Sequence, residues 1–225
     1  MTDESNQTKT LSMHLTVRET RVLEGVQMRL HRFLLTLLLA LTWVVVALAA
    51  EPGDTSALKP PKGSKVAIVV FEDLQCPDCA RAAPLLEEAA RTYKIPVVRH
   101  DFPLPKHNWS YEAAILARYF DTQSKKLGND FRDKVFEHQS EITPDSLRSF
   151  AEKFASEHKV DLPFAVDPQG KLADEIKRDR DLGQRIGLDH TPTIYVVSSR
   201  TTGKPFVEVV DRSQLFQMID DMKRE

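Results

Sequence analysis

The chain predicts an α/β fold: a mixed central sheet flanked by helices, with a helical subdomain inserted between its two halves. Three observations carry this. An apolar strand runs straight into a long amphipathic helix and a second apolar run. The middle of the chain keeps helical periodicity, and the end returns to two β-rich runs and a last amphipathic helix. Composition agrees: 225 residues, 41% hydrophobic and 28% charged, describe an ordinary globular protein. A formal net charge of −2 leaves no basic excess to neutralise phosphates, so no nucleic-acid partner is expected. Two cysteines, Cys76 and Cys79, are too few for a stapled scaffold or a cysteine-rich zinc module.

In chain order, residues 1–27 form a polar leader unlike an export signal, and Met28 or Met13 reads as the start of the translated protein. The uncharged run 33–50 follows Met28-Arg29-Leu30-His31-Arg32 and ends on Ala47-Leu48-Ala49. A positive flank, an apolar centre and a small-residue cleavage pattern make residues 28–50 a signal peptide. An uncleaved membrane anchor through 33–50 is the alternative, the run being just long enough to span a bilayer. Residues 51–65, rich in Pro, Gly, Ser and Lys, read as a linker to a domain at 66–225. The expected location is periplasmic or otherwise extracytoplasmic, in an oxidising compartment.

Val66 to Phe71 is a continuous β-branched run, the mark of a strand buried on both faces. A helix is predicted from Cys76 to about Thr92, burying Ala80, Ala83, Leu86 and Ala90. Ile95 to Val98 is a second buried strand, parallel to the first because a crossover helix joins them. In the inserted block, at about 107–187, Tyr111, Ala114, Ile115 and Tyr119 share one helical face; Phe131, Val135 and Phe136 share another. His107 and Trp109 are expected to pack at its start. Thr143 is a predicted N-cap with Pro144 first in the helix, and Leu147, Phe150, Ala151, Phe154 and Ala155 form its stripe. A helix over 170–187 should break or kink in its last turns, and its charged stretch 174–185 reads as a solvated face. Thr193 to Val197 and Phe206 to Val210 form an antiparallel pair through a turn containing Gly203. The last helix buries Leu215, Met218, Ile219 and Met222.

The chemistry concentrates in Cys76-Pro77-Asp78-Cys79. With Cys76 as N-cap, Pro77 takes the first helical position, where its missing N–H costs nothing. Cys79 then lies one turn on, so the sulfurs can bridge. The N–H groups of Asp78 and Cys79 and the helix dipole stabilise a Cys76 thiolate, leaving Cys79 as the resolving thiol. Asp78 works against this, its charge lying within a turn of the sulfur. Half a zinc site is the competing reading, but no second cysteine pair exists to complete it. A purely structural bridge over so short a loop removes little chain entropy. Further on, Thr191-Pro192 opens a strand after a loop and is a candidate cis bond; from the residues alone an ordinary trans loop proline is the favoured reading.

The stretch Val66 to Cys79 (VAIVVFEDLQCPDC), the helical block, and Gly187 to Val196 (GLDHTPTIYV) together resemble a DsbA-like protein of the thioredoxin fold. The resemblance runs from about Val66 to the C-terminus. It implies Cys76 as the exposed nucleophile, Cys79 as the resolving cysteine, and Thr191 with a cis Pro192 as the site that meets a substrate backbone. The helical block would cap the core and border a groove for extended polypeptide. There are three departures from the family pattern. The acid that many relatives carry six residues before the first cysteine is Val70 here, so a proton relay is missing or passes to Glu72 or Asp73. His190 replaces a common glycine before Thr-Pro; a protonated ring beside the sulfurs would stabilise the thiolate, while a solvated loop histidine is the commoner alternative. The Pro77-Asp78 dipeptide leaves the direction of electron flow open.

The function expected is an exported thiol–disulfide oxidoreductase acting on cysteine-containing exported polypeptides, as an oxidase recycled by a membrane redox partner. A reductase fed by a membrane partner, or a copper- or zinc-handling protein using the cysteine pair, are the alternatives. No cofactor and no resident metal are expected.

Overall fold

The run VAIVVFE becomes strand β1 (Val66–Glu72), buried over its whole length. In this computed structural model, residues 55, 57–200 and 204–224 are described. The leader, the signal or anchor, most of the proposed linker's first half and Gly203 lie outside them. Strand β1 is central: parallel β2 (Val97–Asp101) pairs on one side and antiparallel β3 (Thr193–Ser198) on the other. Strand β4 (Phe206–Glu208) completes the order β2-β1-β3-β4, antiparallel to β3.

Burial on both faces explains why β1 shows no polar alternation. Val66, Ile68 and Val70 pack with Ala82, Leu86 and Ala89 of helix α1 (Pro77–Tyr93) and with Leu215, Ile219 and Met222 of helix α6 (Leu215–Arg224). Ala67, Val69 and Phe71 point the other way, into a cluster with Leu58, Phe102 and Leu182.

Helix α1 buries Cys79, Ala82, Ala83, Leu86 and Ala89, so Ala82 and Ala89 replace the expected Ala80 and Ala90. The helix serves two cores at once. Ala82, Leu86 and Ala89 meet the sheet, while Cys79 and Ala83 meet the helical block. The second strand starts at Val97 rather than Ile95, because the Ile95 N–H still closes the helix on Ala90 and Pro96 has no N–H. As an edge strand, β2 is only half-buried until Asp101.

Between β2 and β3 lie α2 (Ser110–Gln123), α3 (Lys125–Glu137), α4 (Leu147–Glu157) and α5 (Lys171–Ile186). The face of α2 differs from expectation: Ala113, Ala114, Leu116, Ala117 and Phe120 are buried, while Tyr111 is exposed. Phe120, Phe131 and Phe154 form the block's aromatic centre, with ring centroids 4.7–5.1 Å apart. Gly128 permits the tight α2–α3 packing, since a Cβ there would lie 1.9 Å from Asp121 Oδ1. Helix α4 begins three residues later than predicted. Thr143 and Ser146 first cap each other reciprocally, the Thr143 N–H donating to Ser146 Oγ (2.9 Å) and the Ser146 N–H to Thr143 Oγ1 (3.2 Å). Helix α5 runs unbroken between Gly170 and Gly187, both at positive φ. Gly183 makes room for the Phe102 ring, 2.4 Å from where a Cβ would stand. At the end of the chain β4 stops at Glu208, leaving Val210 exposed, and Met218 is only partly buried. Among the described residues, no helix is long and apolar enough to cross a membrane.

Candidate active site

Where β1 ends, the chain turns through Asp73, Leu74 and Gln75 into the redox helix, and its own side chains fix that turn. The buried Asp73 carboxylate accepts the Gln75 and Leu104 N–H groups, each at 2.7 Å, and lies 2.7 Å from His107 Nδ1. The Asp73 carbonyl accepts the Cys76 N–H (3.0 Å), and its own N–H donates to Cys79 Sγ (3.4 Å). The helical block holds the outer side. Gln139 donates to the carbonyls of Leu74 (2.8 Å) and Cys76 (3.1 Å), and Gln75 bridges the Trp109 N–H (2.9 Å) and Asn108 Oδ1 (3.1 Å).

Cys76 is the N-cap of α1 in extended conformation, with Pro77 first and Asp78 second in the helix. Cys76 and Cys79 are both free thiols, 7% and 2% exposed, so Cys76 is the more accessible. Opposite them the Thr191–Pro192 peptide bond is cis. Cys76 Sγ donates to the Thr191 carbonyl at 3.3 Å, across 115 residues of chain. The Thr191 hydroxyl is buried, and among the described residues the Cys76 sulfur is the one group it is placed to meet.

The two sulfurs differ sharply in acidity. Hydrogen bonding from Cys79 first, then from the Thr191 side chain and the N–H groups of Cys79 and Asp78, brings the Cys76 thiol down to about 5 against the opposing effect of burial. Burial above all, with the hydrogen bond to Cys76, pushes the Cys79 thiol far up, and the negative charge of Glu72 adds to this.

Of the residues singled out for tuning, Asp78 is not an unanswered charge. Its carboxylate meets Arg212 at 2.7 Å and Arg81 at 3.0 Å, and Arg212 holds it below the usual carboxylate range. Glu72 is buried against Arg99 at 3.1 and 2.9 Å, and the acceptor sites of Asp73 are taken by the turn. The His190 ring is largely exposed and pairs with Asp189 at 2.8 Å. Arg212, Gln139 and His107 reach the site from distant segments, and only the odd Asp78 hinted that a cation was needed. Beside Asn108, a cavity of about 530 Å³ is lined by Trp109, Ile115, Leu147, Phe164 and Val166, with Phe164 almost fully exposed. Among the described residues, no group of three or more His, Cys, Asp or Glu side chains is placed to hold a metal ion.

Residues 61–220 match the family described as Thioredoxin. The fold is similar to the thiol-disulfide exchange protein alpha-DsbA2 from Wolbachia pipientis, with a TM-score of 0.59 and 21% identity over 73% of this chain and 85% of that one. It is similar to a periplasmic thioredoxin-like protein from Salmonella enterica serovar Typhimurium, with a TM-score of 0.59 and 19% identity over 74% and 88%. Both likenesses bear out the thioredoxin fold expected from the sequence. A curated relative, the Na(+)/H(+) antiporter NhaA 3 of Salinispora tropica, is 26% identical over 159 residues, or 70% of this chain. The chain spans about a quarter of that relative's length, 24%.

Proposed function

The chain belongs to the thioredoxin family, and from that premise we propose that it is an exported thiol–disulfide oxidoreductase that oxidises cysteines in other exported polypeptides. The observation that carries this is the contrast between its sulfurs. Cys76 is acidic and the more exposed of the two, whereas Cys79 is more deeply buried and held as a thiol.

In the oxidised protein a substrate thiolate attacks Cys76 Sγ. The Cys76–Cys79 bond breaks, and the Cys79 sulfur takes the electron pair and then a proton. A second substrate thiolate attacks the substrate sulfur of the mixed disulfide, and Cys76 leaves as a thiolate. Two electrons pass to the cysteine pair and the substrate gains one disulfide. No cofactor is required; a membrane redox partner re-oxidises the pair. Thr191 offers its backbone to an extended substrate beside cis-Pro192, and the cavity at Trp109 and Phe164 suits an apolar substrate side chain.

The acidity of Cys76 supports the oxidising direction, because a stable thiolate favours the reduced pair. The test is equilibration with glutathione. A potential between about −180 and −120 mV is expected; one near −270 mV would place the protein with the reductants.

The antiporter relative favours one refinement. A stretch like this forms a quarter of a protein named for transport, so we propose that this domain too works beside a membrane, with residues 28–50 as its signal or anchor. Cell fractionation with N-terminal sequencing of the mature chain checks this. A mature N-terminus upstream of residue 28 in a cytosolic fraction would refute it.

A further inference from the structure

Arg212 lies in a short 3₁₀ turn (Arg212–Gln214) that leads into α6, 134 residues from the redox helix. The turn is fixed by Asp211, whose carboxylate accepts the Ser213 N–H at 2.9 Å and the Ser213 hydroxyl at 2.7 Å. From this platform the guanidinium makes two bonds to one residue. Nη2 donates to the Asp78 carboxylate at 2.7 Å, and Nη1 to the Asp78 backbone carbonyl at 3.3 Å. That carbonyl belongs to the peptide whose other end is the Cys79 N–H, one of the donors facing the Cys76 sulfur. Arg81, the other cation at Asp78, is mostly in solvent (68% exposed) and contributes less order.

We propose that Arg212 is a positioning residue that sets the thiolate acidity of Cys76, and with it the reduction potential of the cysteine pair. It acts by two routes. The first cancels the Asp78 charge, which otherwise opposes a thiolate within the same helical turn. The second polarises the Asp78–Cys79 peptide: a cation on the carbonyl strengthens the N–H at the far end as a donor to sulfur. Both routes stabilise the thiolate, and neither requires Arg212 to touch substrate. The inference deepens the thiol-exchange reading and rests on it for its functional meaning.

The test is the ultraviolet thiolate titration of Cys76 in the reduced full chain, with the glutathione equilibrium measured alongside. Arg212→Met is expected to raise the Cys76 midpoint by about one pH unit. It should favour the disulfide form about tenfold, close to 30 mV in the reducing direction. Arg212→Lys keeps the charge but cannot hold carboxylate and carbonyl together, so it should fall between the two. In an Asp78→Asn background, Arg212→Met should move the midpoint by less, since only the peptide route remains. An unchanged midpoint and potential in Arg212→Met would overturn the proposal. If that variant fails to fold, Arg212→Lys decides: a wild-type midpoint and potential there would overturn it equally. Neither readout uses a protein substrate. If wild-type chain exchanges no disulfide with reduced peptides while Arg212→Met still shifts the titration, the functional reading falls and the role of Arg212 stands.

Discussion

At the start of α1 the charge to be stabilised exists only while Cys76 is a thiolate, and its partners are a thiol, a hydroxyl and two peptide N–H groups. Where β2 meets α2, α3 and α5 the cations are permanent. Arg132 reaches Asp121 at 3.2 Å, Asp101 at 3.3 Å and the Gly128 carbonyl at 3.1 Å. Arg118 joins Asp101 at 2.5 Å and also Asp179, which holds His100 at 2.7 Å. Arg99 meets Glu72. The difference follows from what each charge has to do. A charge that comes and goes is best met by dipoles, which stabilise it without leaving a counter-ion stranded when it disappears. Permanent buried carboxylates need fixed cations, and all three are arginine, whose planar fork satisfies several acceptors at once.

Removing a fixed cation should therefore produce the largest effect. Arg132→Met leaves Asp101 and Asp121 buried without their shared partner, which typically costs about 3–5 kcal/mol. Urea unfolding of the oxidised protein should register that loss. In the fraction that remains folded, the Cys76 titration should stay near its wild-type midpoint, because no seam residue is among the partners of the Cys76 thiolate, and Glu72, which Arg99 and Arg132 border, acts on Cys79 instead. A large shift of that midpoint would join the two regions and break the contrast.

The next effect is in the pH dependence of stability, where one group from each region, Cys76 and Asp133, acts with opposite sign. Cys76 has its folded value near 5 and its unfolded value near 9. Its contribution to the reduced protein is full above about 9 and is lost as pH falls towards 5. Asp133 runs the other way. Burial first, then hydrogen bonding to Glu87, raises it to about 7 against the pull of Arg99. Its contribution is present below about 4 and is lost as pH rises through 7. Unfolding of reduced protein across pH 4–9 should show both slopes. Cys76→Ser should remove only the rising one and Asp133→Asn only the falling one; a variant that flattened both would merge the two regions.

The same division marks what could be read from the sequence. Strand β1, the capped start of α1 and the cysteine pair were legible because each rests on neighbours in sequence: a β-branched run, Pro77 at the first helical position, and a three-residue spacing. The seam was not. Asp179 falls in the stretch read as a solvated face, yet it is largely buried against Arg118 and His100, which come from α2 and β2. Alternating charges along a helix look the same whether they meet water or partners far along the chain. The same holds for Asp78, whose Arg212 is 134 residues away. Helix α2 failed for a different reason. Its buried face is rich in alanine, because α3 packs close, and the larger side chains of Tyr111, Ile115 and Tyr119 pointed to a different face from the small Ala113 and Ala117.

The smallest effect should come from His190, whose two readings from the sequence, a ring beside the sulfurs or a solvated loop side chain, predict different outcomes. Its place before Thr191-Pro192 suggested a ring able to add charge near the sulfur. The side chain is instead 62% exposed and paired with Asp189, so its field is screened by water and by an adjacent carboxylate. His190→Ala should shift the Cys76 midpoint by less than about 0.3 pH unit and stability by less than about 0.5 kcal/mol. A rise of a full unit would put the imidazolium among the partners of the thiolate. The thiol end would then depend on a side-chain cation, and the distinction between dipoles for a transient charge and cations for permanent ones would fail at the position where it is easiest to measure.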